Sequence, residues 1–369
     1  MGARREFGAI NYEKCGHSFL RTNDAGDVTE IVHQYLAPIR HLYPFPALGD
    51  EEAGIALYRG DFKLNSDVWD GDIHLDTRNQ PELVASGVRS AQSLADMSIA
   101  GIEALFLEDA HWQESALLSV PDVDGVPAPP TVASVNGDPP TQTDAGYSIG
   151  KKGVGTAEIG RGDRLERVSF LIPNGRLSAD GWIVCDVDRA LPGAVCVEVD
   201  GWSIRIDPRT DARKSVIEHR QRATAAHVFT HVGEIRRSDG SEFTSSDGEE
   251  ILGIVCTALT LYLGRATACL LPVGWLGDTP VWARWGGDRA IDRRESDFNW
   301  FDQADGSATL GELIQCCAST AHRGDGLWDV AQLALGYLLS AHKSTVQMRV
   351  SLPVAAIGLV TEEWMVSYA

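Results

Sequence analysis

Two spacings of apolar residues divide this chain. From about residue 51 to 237 the apolar positions come in short runs rich in β-branched and aromatic residues, bounded by Gly, Pro, Asp or Asn: "DGDIHLDT", "RVSFLIP", "GWIVCDVD", "GAVCVEVDGWSIRID" and "AHVFTHVGEIRR". Runs of that length and punctuation predict strands. In "VEVDGWSIRI" two alternating segments flank Asp200 and Gly201, a pair suited to a tight hairpin turn. A Pro- and Gly-rich stretch at about 120–146 interrupts the series and is expected to be a long loop. "SAQSLADMSIAGIEALFLEDAHW" has the composition of a helix inserted among the strands.

After about residue 238 the period lengthens. "SDGEEILGIVCTALTLYLG" offers Ser246 and Glu249 in capping-box spacing and Gly264 as a terminating glycine. Its apolar residues surround the whole helix, so Ile251, Leu252, Val255, Leu259 and Leu263 are expected in a core. "ATLGELIQCCASTAH", "GLWDVAQLALGYLLSAH" and the terminal "PVAAIGLVTEEWMVSYA" continue the helical pattern. The expected fold class is therefore α+β: an antiparallel, sandwich or barrel-like β-rich domain over 51–237, then an all-helical domain over 238–369. Residues 1–50 form an N-terminal extension, in which "DVTEIVHQYL" begins as a helix that Pro38 ends. The apolar residues of the last segment predict that it packs on the preceding helices, on a protein partner or on a second copy of the chain.

Length suits two domains, since 369 residues exceed one ordinary core. The net charge of −20 argues against general nucleic-acid binding and against anionic membranes. Seven cysteines, none in C-x-x-C spacing and most inside apolar runs, suggest neither a disulfide framework nor a zinc site. A reducing, cytoplasmic setting fits, and "MGARREFGAINYEK" lacks the apolar stretch of a signal peptide. No metal or cofactor is expected.

Chemical motifs are sparse. Arg222 and His227 in "RATAAH" have the R-x(4–6)-H spacing of metal-independent ribonucleases. With ten histidines and 26 arginines in the chain, about two such matches arise by chance. Three occur: Arg213 with His219, and both Arg220 and Arg222 with His227. His227 also leads into a strand pattern, whereas such nucleases hold the pair at a helix end. His227 and His231 on one strand would stand roughly 13 Å apart, too far for one ion. "AGYSIGKKGVG" resembles a phosphate loop, but it lacks one spacer residue and has Lys152 where Ser or Thr would bind magnesium, so a plain loop is expected. Glu108, Asp109 and His111 group in "FLEDAHW", consistent with acid–base chemistry or with a solvated helix end. Trp275, Trp282, Trp285 and Trp300 could stack a ligand or fill a core.

The stretch "GWSIRIDPRTD … HVFTHVGEIRRSDGSEFTSSDGEEILGIVCTALTLYLGRATACLLPVGW … VWARW" resembles bacterial abortive-infection proteins of the ApeA type, over about residues 55–369 and most closely over 200–302. The resemblance implies a β-rich region ahead of a helical HEPN ribonuclease domain, in antiphage defence. That family's arginine and histidine lie late in the helical domain. Here no R-x(4–6)-H follows Arg349, and neither His322 nor His342 has a correctly spaced arginine. The resemblance thus implies a sensor, regulatory or interaction module, with no catalytic residue to carry over. The alternatives are a ribonuclease using Arg222 and His227, and a structural subunit of a larger complex.

Overall fold

The computed structural model describes residues 16–22, 28–45, 54–64, 67–77, 81–89, 112–119, 131–137, 141–143, 146–154, 156–175, 177, 182–186, 189–210, 227–286, 291–292, 306–323, 326–342 and 346–368. Its centre is a seven-stranded antiparallel sheet. In spatial order its strands are β10 (Ala157–Gly160), β18 (Thr279–Trp285), β17 (Leu270–Leu276), β11 (Arg167–Pro173), β16 (Phe229–Arg237), β15 (Trp202–Pro208) and β14 (Val195–Val199). Helix α1 (Ser245–Leu263) lies on one face, and one apolar cluster joins Val168, Phe170, Ile204 and Ile235 of the sheet to Ile251, Val255 and Leu259 of the helix. Phe170 fits because residue 233 is glycine: a Cβ there would come within 2.1 Å of the Phe170 ring.

A second seven-stranded sheet covers part of the other face. It is formed by β5 (Glu82–Arg89), β4 (Asp67–Asp76), β3 (Ile55–Leu64), β6 (Trp112–Ser119), β7 (Thr131–Gly137), β9 (Gly146–Val154) and β8 (Thr141–Thr143), with a further pairing between β5 and β9. Phe62, Ile73, Leu75 and Leu83 of this sheet share one cluster with Ile159, Leu171, Val273 and Trp285 of the central sheet. A third, four-stranded sheet orders β1 (Gly16–Thr22), β2 (Val28–Leu36), β12 (Trp182–Asp186) and β13 (Arg189–Pro192). The β-rich part is therefore layered, sheet on sheet. The fold is a mixed α+β arrangement, antiparallel except where β2 and β12 pair in parallel, with its four described helices toward the C-terminal end.

The structure corrects several sequence expectations. Residues 238–369 are not all helical: β17 and β18 fall between α1 and α2 (Gly306–Ala321) and complete the central sheet. Each run is only seven residues long and carries a proline, Pro272 or Pro280, which disfavours a helix, and the two pair side by side between β10 and β11. Likewise "VTEIVHQYL" is strand β2, because its alternation satisfies β1 and β12 on either side. The Pro- and Gly-rich stretch holds β7 and β8, and "GYSIGKKGV" is strand β9. The cap of α1 is Thr244 with Asp247 rather than Ser246 with Glu249, and Glu249 instead bonds Arg284 at 2.8 Å. Gly264 ends that helix in the left-handed conformation, and all five expected core residues are buried. Asp200 and Gly201, with φ of 47° and 75°, make the expected tight hairpin. The suggested helix upstream of Trp112 lies outside the described residues.

Helix α2 packs on α1 and β14, and α3 (Leu327–His342) packs against α4 (Val346–Tyr368). Pro353 lies inside α4 and removes one helical hydrogen bond. On α4, Ala356 is buried, while Met348, Val354, Ile357 and Val360 remain exposed.

Candidate functional site: a polar cleft on the central sheet

The second sheet covers the β10–β18–β17–β11 side of the central sheet's outer face. Toward β14 the same face turns polar. Two cross-strand rows carry the change. One runs Cys196, Arg205, Glu234, Ser169 and then Val273; the other runs Glu198, Ser203, Arg236, Arg167 and then Trp275. Alternation along each strand puts these residues opposite the α1 face. A cleft of about 530 Å³ lies over them, lined by Cys196, Val197, Glu198, Ser203, Arg205, Glu234 and Arg236, with Leu36 as a wall.

Its charges are tied together. The Glu234 carboxylate is enclosed between Arg167, 3.3 Å away, and Arg236. Arg167 lies 4.9 Å over the Trp275 ring, whose Nε1 donates to Ser169 Oγ at 2.9 Å. Arg205 binds Asp207 through both Nε (2.8 Å) and Nη2 (2.6 Å). Burial raises the Asp207 carboxyl above its ordinary value, with Arg205 opposing only part of that rise. Asp207 also accepts from the Ile39 amide at 3.1 Å, and Arg205 Nη2 donates to the Ala37 carbonyl. Ser238 donates to Glu198 at the rim. Burial, the largest influence on Cys196, pushes its thiol up to about 11.

Residues 36–45 thus form a strap fastened beside the cleft. Farther along, His41 takes the neutral imidazole pattern: Nε2 donates to the Leu271 carbonyl (3.0 Å) and Nδ1 accepts from the Tyr43 amide (3.1 Å). Desolvation holds its pKa down at about 4. Trp285 Nε1 donates to the Tyr43 hydroxyl at 2.6 Å, and Arg209 lies 4.7 Å over the Phe45 ring.

The residues singled out in the sequence fall elsewhere. Arg213, His219, Arg220 and Arg222 lie outside the described residues, as do Glu108, Asp109, His111 and Trp300. His227 is fully buried. Its Nδ1 is 2.8 Å from Asn174 Nδ2, and its amide donates to Thr77 O at 2.8 Å. Asn174, with φ of 52°, further bonds the Val228 amide and accepts from Arg265. This knot splices two sheet ends. His231 is buried beside Thr230, and Trp275, Trp282 and Trp285 are core residues. Among the described residues no group of three or more His, Cys, Asp or Glu could hold a metal ion, and no helix is long and apolar enough to cross a membrane. Sequence reasoning missed the cleft. Its signal was the alternation of "CVE", "SIRID" and "GEIRR", where charged residues recur at every second position of strands that also carry core residues.

A mixed α+β protein with a charged cleft on a sheet face is the class this geometry defines. A family model described as the YopA central domain matches residues 160–296, the stretch that holds most of the central sheet and α1. No curated protein and no solved structure matches the chain.

Proposed function

We propose that this chain is a non-catalytic sensor or protein-interaction module of bacterial antiphage, abortive-infection defence, working in the cytoplasm, with the sheet-face cleft as its recognition site. One observation carries the binding part: Glu234 and Asp207 are already held by arginines, Glu198 accepts from Ser238, and the one thiol is pushed up to about 11. Such a lining can recognise a ligand, and it offers no thiolate nucleophile near neutral pH. The defence part rests on the resemblance to ApeA-type proteins, which is closest over 200–302. The YopA central-domain match covers most of that same stretch.

The rival ribonuclease reading needs His227 to reach a substrate. Its ring is enclosed and bonded to Asn174, which favours a structural role. The test is an RNA-cleavage assay on the wild-type chain and His227→Ala. No cleavage by either supports a binding module. Cleavage lost in a folded His227→Ala variant would overturn it. A third reading, a structural subunit or homo-oligomer, draws on Val354, Ile357 and Val360, three exposed apolar residues on α4. Light scattering of the wild type and Ile357→Ser checks that reading, which expects an assembly only in the former.

A further inference from the structure

The two buried carboxylates on the cleft floor already accept from arginines, while donors on the arginines remain. Glu234 spends Oε2 on Arg167 and Oε1 on Arg236. Asp207 spends Oδ1 on Arg205 and Oδ2 on Arg205 and the Ile39 amide. The two arginines facing the cleft are less committed. Arg205 uses Nε and Nη2, which leaves Nη1. Arg236 uses one nitrogen, with its side chain 52% exposed. A guanidinium carries five N–H donors, so both retain charge-bearing donors for a further acceptor.

Register brings those donors together. Arg205 pairs with Glu234 and Ser203 pairs with Arg236, so the two arginines occupy the diagonal of one cross-strand square. Diagonal neighbours stand roughly 7–8 Å apart at the backbone, within reach of two long side chains converging on one group. Beside Arg205 the lining changes in chemistry: Cys196 is its register partner on β14, and Leu36 adjoins the Ala37 carbonyl that Arg205 holds. A cleft of about 530 Å³ is far larger than a lone inorganic ion needs and falls in the range of roughly 300–1,000 Å³ typical for small organic ligands.

We infer that the cleft binds a small organic anion, its carboxylate or phosphate between Arg205 and Arg236 and its apolar body against Leu36 and Cys196. This rests on the reading of the cleft as a recognition site and names the ligand's chemistry. Glu198, bonded to Ser238 and paired with Ser203 on the β14 side, disfavours a second acidic group on the ligand's body, which orients the ligand. Arg237 supplies an internal control. It is next in sequence, but it lies 3.9 Å over Trp202 on the α1 side, away from the cleft.

Isothermal titration calorimetry on the full chain tests the idea with four probes: benzoate, phenyl phosphate, benzamide and inorganic phosphate. Binding of benzoate or phenyl phosphate, without binding of neutral benzamide, is the expected result, and which acid binds more tightly identifies the head group. Arg236→Gln weakens the bound acid at least tenfold, whereas Arg237→Gln, with the same change in charge, leaves it unaltered. Ser203→Phe, which fills the square, abolishes binding and serves as the second variant should Arg236→Gln fold poorly. Absence of binding by both aryl acids at millimolar concentration overturns the inference. So does an equal loss in Arg236→Gln and Arg237→Gln, or inorganic phosphate binding as tightly as phenyl phosphate. A chain that neither cleaves RNA nor binds these acids loses this inference alone, whereas His227-dependent cleavage removes the underlying reading.

Discussion

Glu234 is the keystone of the cleft, and replacing it by glutamine tests the electrostatic account directly. Its carboxylate is 4% exposed and takes charge-bearing hydrogen bonds from Arg167, itself 20% exposed, and from Arg236, 52% exposed. Arg167 and Arg236 are register partners on adjacent strands. Without the acid between them, two like charges face each other directly, an arrangement that destabilises sheets. Breaking a fully buried pair costs about 3–5 kcal/mol, and an exposed pair contributes about 0–1 kcal/mol. Arg236 can turn to water, but Arg167 is held over Trp275, so Glu234→Gln should cost about 2 kcal/mol. Urea unfolding followed by tryptophan fluorescence measures it, with Trp275 beneath Arg167 as a local reporter. Added salt should narrow the gap between variant and wild type by screening the two arginines. Arg167→Gln combined with Glu234→Gln should cost less than the two single changes summed, by about 1 kcal/mol. A loss under about 0.5 kcal/mol, or strict additivity, would refute the claim that the pair is enclosed and coupled.

Two other groups make titration predictions. His41 has a folded pKa of about 4 against an ordinary 6.5, so the unfolded chain takes up its proton first as pH falls. Its contribution is complete above the unfolded value and is lost as pH drops from 6.5 toward 4, about 2 kcal/mol between pH 7 and pH 5. His41→Gln should flatten that slope, and an unchanged slope in a folded variant would count against the strap's anchoring. Cys196, pushed from 9.0 up to about 11, should hold about 100-fold less thiolate at pH 8 than an ordinary thiol. Mass-spectrometric alkylation kinetics should show a rate that rises with a midpoint near 11, and a midpoint near 9 would show the thiol to be open to water.

The elements that sequence made legible are those whose signals are local. The Asp200–Gly201 turn needs only its own backbone geometry. The α1 core residues follow from an apolar surface that nothing but burial can satisfy. The helical patterns of α2 and α3 need no distant partner either. What escaped was pairing over long sequence distance. Strand β17 lies beside β11, about a hundred residues earlier, and β2 pairs in parallel with β12. Neither register is written in a short window, so a nine-residue alternation such as "VTEIVHQYL" could be taken for a helix start. The cleft was hidden for the same reason: Cys196, Arg205, Glu234 and Arg236 become neighbours only when three strands align. R-x(4–6)-H, by contrast, was visible and uninformative, because chance supplies it.

The central sheet explains why recognition would sit where the sequence shows no motif. Its α1 face is sealed from Leu165 to Ile254 by apolar side chains, which leaves no room for polar chemistry without stranding a donor or acceptor. On the opposite face the second sheet supplies apolar cover for Val273, Trp275 and Ala283, and charged residues take over toward β14. Charges there must satisfy one another, and they do so in pairs that keep side chains in fixed places. Arg205, for instance, is held by Asp207 and by the Ala37 carbonyl. A ligand meeting such a surface finds donors already positioned and loses little to side-chain ordering, which favours affinity without any catalytic group. The same two side chains hold residues 37–39, Asp207 at the Ile39 amide and Arg205 at the Ala37 carbonyl, so the strap and the cleft floor share their fastening.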